Sequence, residues 1–80
     1  MHGRPWRVVV LNDDHNTFEG VAVALSRTLP GVGYDQGLEL ANRIHFSGRA
    51  VVYTGPKEPA EHFHARLGAY GLTLAPLQQG

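Results

Sequence analysis

Val8, Val9, Val10 and Leu11 form an unbroken apolar run, three of its four residues β-branched, that stops at five polar residues, Asn12-Asp13-Asp14-His15-Asn16. The run is short for a buried helix, and branching at Cβ suits a pleated strand. With Trp6 and Arg7 it predicts a strand from Trp6 to Leu11. Short polar side chains hydrogen-bond nearby backbone and tolerate unusual dihedrals, so Asn12 to Asn16 predicts a loop. Such a strand has to be covered. In eighty residues without cysteine, no disulfide or Cys-zinc site can substitute for a packed core.

The covering elements are legible downstream. Asn16 and Glu19 have capping-box spacing, so a helix is expected from about Thr17 to Leu29, with Val21, Ala24, Leu25 and Leu29 on one face. Pro30-Gly31 ends it. Asp35 is the expected cap of a second helix, Gln36 to Phe46, which places Leu38, Ala41, Ile44 and His45 on one side and stops at Gly48. Ala50 to Thr54 reads as a strand and Gly55-Pro56 as a turn. Glu58-Pro59 opens a third helix, striped by Ala60, Phe63, Leu67 and Tyr70 and closed by Gly71. Leu72, Leu74 and Leu77 alternate toward a last short strand, with Pro76 on an edge. The order β-α-α-β-α-β predicts an α+β fold: a small three-stranded antiparallel sheet covered on one face by three helices. Residues 1–5 are expected to be a short arm, 6–77 the core domain and 78–80 a flexible, fraying tail.

Seven Lys and Arg balance seven Asp and Glu, which argues against a nucleic-acid partner. No apolar run approaches a membrane span and no signal-peptide region follows Met1, so a cytoplasmic protein is expected. There is no phosphate-binding Gly-rich loop, and Ser26 and Ser47 lack a nucleophile-elbow context. Neither an enzyme nor a cofactor is therefore expected. The cluster Asn12, Asp13, Asp14 and Asn16 reads either as a turn with a helix cap or as a receptor for a cation. An EF-hand loop is excluded by the missing Gly at its sixth position, and no metal site is expected. His62 and His64, two apart on a helix, face different ways and are expected to be solvated, as are His2 and His15. His45 lies on the inward side of the second helix. It is either a structural residue or, as a neutral imidazole, a partner for an ammonium at the mouth of an apolar pocket.

Three motifs then come together. Val8 to Asp14, Thr17-Phe18-Glu19 leading a helix, and Ile44-His45-Phe46-Ser47-Gly48-Arg49-Ala50 resemble the ClpS adaptor family, whose strand ends in Asn-Asp-Asp and whose helix ends in Val-His-x-x-Gly-Lys-Ala. Gly71-Leu72-Thr73-Leu74 is similar to its Gly-Leu-Pro-Leu, and the likeness runs from about residue 6 to 77. The resemblance implies a non-enzymatic adaptor that binds bulky hydrophobic N-terminal residues (N-degrons) of substrate proteins. It would deliver them to a AAA+ unfoldase, through the N-terminal domain of a ClpA or ClpC type, for proteolysis. It further implies that Asn12 and His45 hydrogen-bond the ligand's α-ammonium, that Asp13 contributes to the same amine, and that Asp14 holds the peptide backbone. Asn16, Phe18, Val21, Ala41, Ile44 and Leu74 would line the side-chain pocket. Phe18 and Ala41 stand where many members carry Met, and Val52 to Pro59 is shorter than the usual family segment. A protein-interaction module of similar fold, docking by its helical face without N-terminal-residue recognition, is the alternative. A metal-dependent hydrolase using Asp13, Asp14 and a histidine is a third reading.

Overall fold

Strand β1 (Trp6–Leu11) occupies the middle of the molecule, as its composition demands: Val8, Val9 and Val10 are almost wholly shut off from solvent. In this computed structural model, which describes residues 3–80, β1 is followed by α1 (Phe18–Thr28), α2 (Tyr34–Ser47), β2 (Arg49–Gly55), α3 (Lys57–Ala69) and β3 (Gln78–Gln79). His2, assigned to the N-terminal arm, lies outside the described residues. The sheet order is β2-β1-β3, with both pairings antiparallel. Between Val8 and Val9 the register shifts, so Val52 of β2 is an extra residue in the ladder, which bends the edge strand.

The core joins Val8 and Val10 to Val21 and Leu25 of α1 and its C-cap Leu29, Ala41 and Ile44 of α2, and Ala60 and Leu67 of α3. Two helix starts differ from expectation. The cap of α1 is Thr17, whose Oγ1 accepts the Gly20 N–H at 2.9 Å, while Asn16 is engaged elsewhere. The cap of α2 is Gly33, whose N–H donates to Gln36 Oε1 at 3.1 Å; Asp35 sits inside the first turn, where the helix dipole favours an acid. The stop at Gly48 is as expected, with φ 87° and its N–H on Ile44 O. Pro59 falls in the first turn of α3, where its missing N–H costs nothing.

The C-terminal segment differs most. Leu72, Leu74 and Leu77 do not form a strand. Leu11 N–H donates to Thr73 O at 2.8 Å, Ala75 N–H to Val9 O at 3.0 Å, and Val10 bridges Leu74, after which Pro76 has no N–H to continue the ladder. The regular strand is Gln78–Gln79, paired with Arg7 and Trp6, and Gly80 N–H donates to Pro5 O at 2.9 Å. The residues expected to fray are thus paired, because the free edge of β1 offers backbone groups that need partners.

Helices α1 and α2 meet backbone to backbone. A Cβ on Gly37 would lie 2.8 Å from Ala22 O and 2.9 Å from Ala22 Cα. Alanine is the better helix former by about 1 kcal/mol. Even so, Gly37→Ala should lower the unfolding free energy by about 1–3 kcal/mol, because main chain cannot yield as a side chain can. Urea denaturation reads the sign directly: a stabilised variant would mean that the helices separate freely here.

Candidate functional site

The end of β1, the loop after it, the first turn of α1, the last turn of α2 and the 71–74 segment converge on one place. The backbone ties the loop down on both sides: Asn12 N–H donates to Gly48 O at 2.9 Å, and Leu11 N–H reaches Thr73 O. Asp13 organises the rest. Its Oδ1 accepts the amide N–H groups of Asn16 (2.8 Å) and His15 (3.1 Å). Its Oδ2 accepts Asn16 Nδ2 (2.7 Å) and Thr73 Oγ1 (2.8 Å). Asn16 Nδ2 also donates to Gly71 O at 3.0 Å, so the loop is laced to the segment that follows α3. Burial works to raise the Asp13 carboxyl, but the Asn16, Thr73 and His15 hydrogen bonds outweigh it and hold the acid well below the usual carboxylate range.

These bonds fill the four acceptor positions that a carboxylate offers. Asp13 therefore brings negative charge to the site and shapes it, while the open acceptors are those of neighbouring residues. Beside it lies a hollow of about 30 Å³. Val21, Ala41, Ile44 and Leu72 form its apolar floor, and Asn12, Asp13, Asn16, Phe18 and His45 its rim. Among the described residues, no Lys or Arg lines it. The floor residues are buried, whereas Phe18, the first residue of α1, is 38% exposed. The hollow holds about one water, against roughly 150 Å³ for a cavity that takes a benzene ring. A bulky side chain needs the hollow to widen, and Phe18 is the exposed member of its apolar lining.

The structure brings together Asn12, Asp13, Asn16, Phe18, Val21, Ala41, Ile44 and His45, and leaves out two expected residues. Leu74 is not at the hollow; it bridges Val10 and lies against α3 at Gly68. The chain runs antiparallel to β1, so by Leu74 it has moved away from the Asn12 end, and Leu72 takes the place at the floor. Asp14 does not line the hollow either. Its side chain is fully exposed, with Oδ1 3.7 Å from His15 Nδ1.

His45 is placed at the exposed rim rather than on the inward face, between the rings of Phe18 (centroids 5.2 Å apart) and Phe46 (4.9 Å). His64, expected in solvent, is half-buried, and its Nε2 shares a 2.9 Å hydrogen bond with Ala75 O. Sequence reasoning missed Leu72 and Thr73. Only the turn at Gly71, with φ 91°, hints locally that the chain doubles back there. Among the described residues, no group of three His, Cys, Asp or Glu is placed to hold a metal ion. Among the described residues, no helix is long and apolar enough to cross a membrane.

Residues 1–75 match the family described as ATP-dependent Clp protease adaptor protein ClpS. The ATP-dependent Clp protease adapter protein ClpS of Nostoc sp. is 48% identical over 73 residues, covering 91% of this chain and 75% of the relative. Its counterpart in Thermosynechococcus vestitus is 46% identical over 77 residues, covering 96% and 82%. The structure of Agrobacterium tumefaciens ClpS2 bound to L-phenylalaninamide shares the fold with a TM-score of 0.90 at 24% identity, over 99% of this chain and 100% of that one.

Proposed function

The chain belongs to the ClpS family of ATP-dependent Clp protease adaptors, and on that premise we propose that it grips substrate proteins by a free α-amino group and a bulky hydrophobic first side chain. The observation that carries this reading is an acceptor-bearing rim, without Lys or Arg, set around an apolar floor. An α-ammonium offers donors and a positive charge, so it needs acceptors, a negative field and no competing cation. Asn12 and a neutral His45 supply open acceptors, and the ionised Asp13 supplies the field. The first side chain displaces Phe18 and lies on Val21, Ala41, Ile44 and Leu72. The Agrobacterium relative bound to an aromatic amino-acid amide supports the same ligand chemistry. The adaptor is non-catalytic in this reading, and its partner is the N-terminal domain of a ClpA- or ClpC-type unfoldase.

Fluorescence anisotropy with peptides differing only in the first residue tests the proposal. Burying a Leu or Phe side chain contributes roughly 1.5–3 kcal/mol. Phe- or Leu-initiated peptides should therefore bind about 10- to 150-fold more tightly than an Ala-initiated one. Equal affinities would leave the hollow without a role.

A further inference from the structure

Phe46 is the most exposed large apolar side chain of the described residues, at 77%, and it does not line the hollow. Its ring nevertheless stands edge-on to His45, with centroids 4.9 Å apart and planes at 84°. Phe18 meets the same imidazole at 5.2 Å and 64°. Among the described residues the His45 ring makes no hydrogen bond, in contrast to the His64 ring, which is anchored on Ala75 O. A functional imidazole is ordinarily oriented by a hydrogen bond to its second nitrogen. Here the imidazole has two phenyl rings as neighbours, and among the described residues neither of its nitrogens has a hydrogen-bond partner.

We infer that Phe46 is a positioning residue for amine recognition: together with Phe18 it clamps the His45 imidazole, so that a ring nitrogen meets the ligand's α-ammonium. The inference rests on the N-terminal-residue reading above. It explains why an exposed position at the end of α2 carries a phenylalanine, since the offset edge contact of aromatic rings fixes orientation as well as covering surface. When a ligand displaces Phe18, Phe46 is the partner left to hold the ring.

A double-mutant cycle over His45 and Phe46, read as affinity for a Phe-initiated peptide, tests this. Phe46→Ala should weaken binding about three- to tenfold, in keeping with the size of an aromatic pair contact. Phe46→Tyr should restore it. In a His45→Ala background, Phe46→Ala should change nothing further. NMR of the His45 ring protons adds an independent readout: Phe46→Ala should move them toward random-coil shifts, while the thermal midpoint stays unchanged. A Phe46→Ala loss that persists without His45 would make Phe46 a ligand contact and overturn the inference, as would wild-type affinity in Phe46→Ala. Indifference of the wild-type protein to the first residue would instead sink the functional reading itself.

Discussion

Acetylating the α-amino group of a Phe-initiated peptide should weaken its binding by at least about a hundredfold. The side chain that enters the hollow is unchanged, so this comparison isolates the rim. Acetylation removes the positive charge and leaves one amide N–H where an ammonium offered three donors. The open acceptors on Asn12 and His45 are then left facing a neutral group. Hydrogen bonds to a charged partner contribute roughly 1.5–3 kcal/mol each, and two of them at the lower bound already give more than two orders of magnitude in affinity. Competition anisotropy with the free and acetylated peptides measures it. Competition within a few-fold would mean that the site reads the side chain alone, and the amine would drop out of the mechanism.

The residues that make this site were legible to different degrees, for physical reasons. β1 matched from Trp6 to Leu11 because a β-branched run with a polar stop admits few other conformations. The end of α2 matched because Gly48 is the residue that takes the left-handed turn without a Cβ penalty. The start of α1 did not match, since Asn16 and Thr17 are both good caps and spacing alone does not choose between them. A long-range competitor decides it: Asp13 and Gly71 engage Asn16, and the cap falls to Thr17. The same limit explains Leu72 and Leu74. Both are apolar and of equal parity, and only the antiparallel path along β1 shows which one meets the hollow. The lock from Thr73 to Asp13 spans 60 residues and has no local signature at all.

That lock leads to the second large expected effect, in which the loop and the fold fail together. Asp13→Ala should lower the unfolding free energy by about 2–4 kcal/mol, a large share for a domain of this size, and should abolish peptide binding as well. The variant leaves Thr73 Oγ1 without its partner, reduces Asn16 Nδ2 to its bond with Gly71 O and frees two loop amides, so only the backbone bond from Asn12 N–H to Gly48 O still holds the loop beside α2. Asp13→Asn keeps one acceptor oxygen but no charge, and it should fall between wild type and Asp13→Ala. Acid separates the charge from the shape. The Asp13 carboxyl lies below its ordinary value in the folded state, so the unfolded chain takes up the proton first as pH falls. Its contribution is complete above the unfolded value, about 3.9, and drains away as pH falls from about 5 toward the lower folded value. Urea midpoints of wild type and Asp13→Asn should therefore converge on acidification, because the variant has no carboxyl left to lose at this position. Two curves that stay parallel down to pH 3 would show that the acid is an ordinary surface group, and that the loop is held by something other than its charge.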